Sequence, residues 1–256
     1  MSRGITYEQP LNERIRTFLR LEYLFNISDH YMNGESEWDV RSVLDTLLDL
    51  SDLISRTDIK NELVKELERL ASAFRLLQKN PGVDLHRLDL VLNDILKYIE
   101  RLRDMYCLPG QLLKHNELVI SIKQRNAISG GTCNFDLPAY HLWLHRPLSV
   151  QRHFLQEWQT DLEIIKNSVF FILNLIRNSS NPLIETAIKG FFQKSMDQNN
   201  NCQLIRVVMP DDSTYYPEIS AGKHRVTIHF MEQHDTKNRP AQSDSDVIFE
   251  LHCCLL

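Results

Sequence analysis

The feature that most constrains this chain is a change of hydrophobic period at Asn181-Pro182. Ahead of it, apolar residues recur every three or four positions, which places them on one face of an α-helix. After it they alternate with polar residues in short β-branched and aromatic runs, the pattern of half-buried strands. The chain therefore reads as α+β: a larger, mostly α-helical domain over 10–178 and a small antiparallel β-domain over 182–256. Extended segments near 4–9 and 132–136 are available to complete the sheet.

The helical part is well punctuated. Leu11, Ile15, Phe18 and Phe25 can share one face behind Pro10, a residue suited to a first turn. Ser36, with Asp39 three positions on, resembles a capping box ahead of Val40, Val43, Leu47 and Leu50. Thr57 opens a third run, Ile59 to Leu77, which stops at Asn80-Pro81-Gly82, and Asp84 opens a fourth that ends near Pro109-Gly110. A fifth stretch covers 111–126. Beyond the Gly130-Gly131 break, Asp136 is placed to cap a short helix with Pro138 in its first turn. Ser149 begins a long run to about Asn178. Its residues Phe170, Phe171, Leu173 and Leu175 put apolar surface on more than one face, as a core helix or a dimer seam would. In the last part, 204–209, 213–220, 224–231 and 247–253 read as strands. Pro217 confines its run to an edge, and 233–246 reads as an exposed loop.

Composition removes several function classes. Among 256 residues 43% are hydrophobic and 25% charged, a globular balance. The net charge of -5 leaves no general excess for neutralising phosphates, so no nucleic-acid partner is expected. The first residues lack the apolar core of a signal peptide, and the longest apolar stretch, Val169 to Ile176, is too short for a bilayer. A cytoplasmic protein with no membrane partner is the expectation. Cys107, Cys133, Cys202, Cys253 and Cys254 include no CxxC pair and read as free thiols of a reducing compartment.

The candidate chemical groupings each lack a partner. His141 and His145 share a helical face at zinc-ligand spacing, but the Glu a zinc protease places after its first His is Leu142 here. Cys133 has no base beside it in sequence, His252-Cys253-Cys254 would point to alternate faces of a strand, and Gly130-Gly131 lacks the phosphate-loop signature. These readings favour a protein that is not an enzyme and has no cofactor. A metal-dependent hydrolase using His141 and His145 is the alternative. Basic residues, by contrast, follow the periods. Arg16 and Arg20 lie one helical turn apart on one face. Lys223, Arg225, Thr227 and His229 alternate along a strand, opposite Val226, Ile228 and Phe230. Brought together, these groups would orient an acidic or C-terminal peptide, a task for which the planar Arg side chain is well suited.

Three ordered segments carry a family resemblance: YEQPLNERIRTFLRLEYL at the start, ISGGTCNFDLPAYHLWLHRP in the middle, and YPEISAGKHRVTIHFM with FELHCC at the end. Together they resemble the ZapD family of bacterial division factors. The resemblance implies a helical domain joined to a small β-domain, a homodimer, and binding of the C-terminal peptide of FtsZ, with bundling of FtsZ filaments at the mid-cell division ring. It implies a positively charged peptide site that includes Arg16, Arg20, His141 and Arg225. A symmetric dimer with one peptide site per copy is bivalent, which accounts for crosslinking. Two positions depart from the family pattern: His229 stands where relatives tend to have Arg, and Glu117 where a basic residue is usual. Both imply weaker or more pH-sensitive peptide binding.

Overall fold

The computed structural model describes residues 4–78, 82–196, 202–222, 224–233, 235 and 237–255. The chain is α+β and divides into two compact units, one of residues 18–172 and the other of residues 1–17 with 173–256. Among the described residues the helices are α1 (Glu13–Met32), α2 (Glu37–Arg56), α3 (Ile59–Leu77), α4 (Leu85–Arg103), α5 (Gln111–Lys114), α6 (Glu117–Asn126), α7 (Pro138–Leu144), α8 (Leu148–Asp161) and α9 (Glu163–Arg177). The first five residues of α1 and the last five of α9 are counted with the second unit.

Local chemistry explains most helix starts. Ser36 Oγ accepts from Asp39 N at 3.1 Å while Ser36 N donates to Asp39 Oδ2 at 2.9 Å, a reciprocal box that opens α2. Those hydrogen bonds hold the Asp39 carboxyl below the usual carboxylate range. Asp84 caps α4 through Arg87 N at 3.1 Å. At α3 the cap is Asp58, not Thr57: the Asp58 carboxylate accepts from Asn61 N, and Thr57 closes α2 in an extended conformation. Helices α3 and α4 pack together along Leu63, Leu67 and Leu70 on one side and Leu88, Leu92, Ile95, Ile99 and Leu102 on the other, all buried.

Three expectations need correction. The run from Ser149 is two helices, because the backbone tightens at Leu162, whose N–H donates to Gln159 O at 3.0 Å, before α9 begins. Residues 132–136 form successive turns instead of a strand; Cys133 N donates to Gly130 O and Asp136 N to Cys133 O, both at 3.1 Å. Asp136 does not cap α7. Pro138 is already the first helical residue, so the cap position falls on Leu137, and Asp136 faces Arg125 at 3.5 Å.

The other unit holds β1 (Ile5–Pro10), β2 (Leu183–Ala187), β3 (Phe191–Ser195), β4 (Leu204–Met209), β5 (Tyr215–Ala221), β6 (Arg225–Glu232), β7 (Ala241–Gln242) and β8 (Val247–Cys254). They make two antiparallel sheets where one was expected. The first has the order β1-β4-β8-β2; the second has the order β3-β6-β5, with β7 pairing to β6. Alternate residues of both sheets meet in one core: Ile205, Val207, Met209, Val247, Phe249 and Leu251 from the first, and Val226, Ile228 and Phe230 from the second. Phe249 is the hinge of this packing, with its ring 4.8 Å from Phe230 and 5.1 Å from Phe192. Pro217 sits on β5, at the edge of its sheet.

Strands β2 and β3 belong to different sheets and are joined by Lys189-Gly190, both with positive φ (50° and 69°), the backbone of a tight hairpin turn. On the outer face of the first sheet, Glu8 is clamped by two guanidinium groups. Arg177 donates to both carboxylate oxygens at 2.9 and 2.8 Å, and Arg206 Nε lies 2.9 Å away as an ion pair without hydrogen-bond alignment.

Candidate functional site

The basic residues singled out by period occupy three structural settings. On α1 the buried stripe Ile15, Phe18, Leu21 and Phe25 fixes which face turns inward. Arg16 and Arg20, one turn apart, lie beside that stripe. Arg16 is half-buried and its Nε is 3.0 Å from Glu13 Oε1. Arg20 is exposed, and among the described residues no carboxylate lies within ion-pair distance of it. Its guanidinium is available to an incoming anion; that of Arg16 is partly engaged.

On β6 the alternation is realised: Val226, Ile228 and Phe230 are fully buried, which turns Arg225, Thr227 and His229 to the opposite face. Register then supplies neighbours the sequence pattern did not reveal. Arg225 lies opposite Ser195, Thr227 between Gln193 and Ser220, and His229 between Phe191 and Glu218. The His229 ring stands 5.2 Å from that of Phe191, and its Nδ1 is 2.9 Å from Gln242 Oε1. Gln242 in turn donates to Lys189 O at 2.9 Å, so β7 and the β2–β3 turn jointly fix the ring. Glu218 beside His229 means this face is mixed in charge at one end and basic at the other, where Arg225 is exposed. Phe191, Glu218 and Gln242 were missed because they come from other strands; the Ile188-Lys189-Gly190-Phe191 turn was the one local signal for β3. Lys223 lies outside the described residues.

His141 is in the last turn of α7, half-buried, with its ring 4.3 Å from that of His145. His145 Nδ1 lies 2.9 Å from His141 O, so that nitrogen is occupied by the helix end. Among the described residues no three or more His, Cys, Asp and Glu side chains are grouped so as to hold a metal ion. The pair has the spacing of two zinc ligands without a third. Glu117 is the first residue of α6, exposed, where its charge complements the helix N-terminus beside the Asn116 cap.

The structure thus keeps Arg16 and Arg20 one turn apart on α1, sets Arg225 and His229 on one face of β6, and brings His141 beside His145. No helix among the described residues is long and apolar enough to cross a membrane.

The amino-acid sequence that builds these two units matches proteins of one class, those named as cell division proteins. The family model described as "ZapD: Cell division protein" matches residues 19–229. "Cell division protein ZapD" of Methylococcus capsulatus is 42% identical over 256 residues, covering 100% of both chains. The proteins of the same description from Cupriavidus pinatubonensis and Nitrosomonas eutropha are 38% and 37% identical, each over 98% of this chain and 99% and 100% of their own. The chain belongs to the ZapD family, and a role in cell division follows from that membership.

Proposed function

We propose that this protein binds the C-terminal tail of FtsZ and, as a homodimer, crosslinks FtsZ filaments at the mid-cell division ring in the cytoplasm, without catalysing a reaction. Arg16, Arg20, His141, Lys223, Arg225 and His229 are the peptide-contacting side chains in this reading. The observation that carries it is the state of the guanidinium groups. Most arginines with an assigned partner here are spent on intramolecular carboxylates, as Arg177 is on Glu8, Arg41 on Glu37 and Arg103 on Glu68. Arg20 and Arg225 are exposed and carry no carboxylate partner among the described residues, a state shared with Arg75, Arg87, Arg101, Arg146 and Arg239; they differ in sharing a helix or strand face with a second candidate residue, Arg16 and His229 respectively. Exposed, unneutralised guanidinium groups in a protein of net charge -5 are the expected anchors for peptide carboxylates. Two such sites per dimer convert tail binding into filament bridging.

The test is sedimentation of FtsZ filaments with this protein, run with full-length FtsZ and with FtsZ lacking its tail. Bundling should require the tail. Arg20→Glu should weaken binding of a synthetic tail peptide roughly tenfold or more, since a charge-assisted hydrogen bond contributes about 1.5–3 kcal/mol. Unchanged peptide binding by a folded Arg20→Glu protein removes Arg20 from the site. Tail-independent bundling overturns the reading as a whole.

A further inference from the structure

Cys202 lies two residues ahead of β4, and Cys253 is the penultimate residue of β8, where it pairs in register with Ile205. Both are half-buried, and both pack against the sandwich core formed by Ile205, Val207, Phe249 and their neighbours. Both thiols therefore sit on the core side of the first sheet, close enough for each to act on the other. Cys202 Sγ is also 3.6 Å from Leu204 O, so its side chain is folded back over the start of β4. Cys202 stands outside the β4–β8 ladder, so it can shift without breaking a strand pairing. The adjacent Cys254 is buried and faces the other side of the sheet, where its Sγ lies 3.6 Å from Ser180 Oγ. Cys107 and Cys133 belong to the helical unit. Two neighbouring thiols packed on one core, one on β8 and the other just ahead of the adjacent strand β4, are unlike the three remaining cysteines.

We propose that Cys202 and Cys253 are a redox modification site, oxidised by hydrogen peroxide to a reversible intramolecular disulfide that ties the start of β4 to the end of β8. In the first step the Cys253 thiolate attacks one peroxide oxygen. The O–O bond breaks, hydroxide leaves and is protonated to water, and Cys253 becomes a sulfenic acid. Cys202 then attacks the sulfenic sulfur; the S–O bond breaks, the Cys202 proton accompanies the departing oxygen, and a second water forms. Two thiols lose two hydrogens and two electrons, and one peroxide is reduced to two waters. A dithiol reductant reverses the reaction by exchange.

The division of labour follows from the surroundings. The neighbouring Cys202 thiol holds the Cys253 thiol low against the opposing effect of burial, and Lys194 adds a favourable charge. Lys194 Nζ is itself 2.7 Å from Glu185 Oε1, which tempers that charge. The Cys253 thiol, with burial, pushes the Cys202 thiol up, and burial pushes Cys254 up. Cys253 is therefore the attacking group and Cys202 the resolving one. In a reducing compartment the dithiol is the resting form.

The experiment treats the full chain with hydrogen peroxide near pH 7.5, blocks residual thiols, and reads the intact mass and the non-reduced peptide map. The monomer should carry two blocking groups fewer than the reduced, blocked chain and be about 2 Da lighter apart from them, and it should yield a Cys202–Cys253 linked peptide that dithiothreitol removes. Cys202→Ser should stop at the sulfenic acid on Cys253, trapped by dimedone, and Cys253→Ser should give neither product. The linked peptide from the unaltered protein decides the matter without relying on either variant. Oxidation that maps to Cys254 or to intermolecular links, or thiols that remain reduced at peroxide levels that oxidise small-molecule thiols, overturns the proposal.

Discussion

The two units of this protein obtain their stability from interactions of opposite range. In residues 18–172 most of the order is local: capped amphipathic helices bury a face against a neighbour close in sequence, as α3 does against α4. In the β unit almost nothing is local. Strand β1, from the start of the chain, pairs with β4 some two hundred positions away, and β4 pairs with β8 at the end. The Glu8 clamp repeats this, joining Arg177 and Arg206 to a residue of β1. A helical unit of this kind tolerates change one helix at a time. A sandwich closed by both ends of the chain concentrates its stability in the few side chains that hold the sheets together, and Phe249 is chief among them.

The largest expected effect tests that concentration. Phe249 is 2% exposed and touches the rings of Phe192 and Phe230, one from each neighbouring part of the second sheet. Phe249→Ala should destabilise the β unit by about 3–5 kcal/mol, the usual cost of an aromatic deletion in a packed core. Urea unfolding measures the loss, and amide hydrogen exchange locates it. Protection should collapse in β4, β6 and β8 while α3 and α4 keep theirs. Equal loss of protection in α3 and α4 would show that the sandwich core is not a separate reservoir of stability.

The same contrast explains what the sequence made legible. Helix starts at Ser36 and Asp84 were readable because a cap is written within three residues of its target. Thr57 misled because Asp58, one place on, is equally able to cap. The break at Leu162 carries no Gly or Pro, and the two-helix geometry is a backbone event inside an unbroken apolar pattern. In the β unit, β4, β6 and β8 were legible from their alternation. Strand β2 was not, since Leu183 and Ile184 are exposed and only Ala187 is fully buried. With β2 and β3 hidden, a second sheet could not be inferred. The basic faces divide similarly: Arg16 with Arg20 and Arg225 with His229 follow from period alone, whereas Phe191, Glu218 and Gln242 reach His229 through pairing register, a long-range property.

Two glycines put the contrast on a smaller scale. Gly190 in the β2–β3 turn and Gly110 ahead of α5 both have positive φ, 69° and 84°. A methyl at Gly110 would meet only Leu162 Cδ2 at 3.7 Å, so Gly110→Ala should cost about 1 kcal/mol for the left-handed backbone alone. A methyl at Gly190 would lie 2.7 Å from Ser243 O and 3.0 Å from Phe230 O, backbone atoms of two other segments of the sandwich. Gly190→Ala should cost roughly 2–3 kcal/mol. Thermal melts of both variants measure the difference; a larger loss at Gly110 would contradict the view that the sandwich is the less forgiving unit.

The smallest effect belongs to the helical unit and has the opposite sign. Burial, and then the charge of Asp49, push the Asp45 carboxyl above its ordinary range, with Arg41 opposing; burial and Asp52 do the same to Asp49. A carboxyl raised in the folded state favours folding while protonated, below the unfolded-state pKa of about 3.9. That contribution is lost as pH rises through the folded-state value, so at neutral pH the ionised group opposes folding. Asp45→Asn removes the opposition. Because the residue still reaches solvent, screening limits the gain to a few tenths of a kcal/mol, a rise in Tm of roughly 1 °C. The gain should be present at pH 7 and fade as the pH approaches 4, where the native carboxyl takes up its proton. A lower Tm for Asp45→Asn at pH 7 would mean that the attraction to Arg41 outweighs burial and the row of like charges on α2.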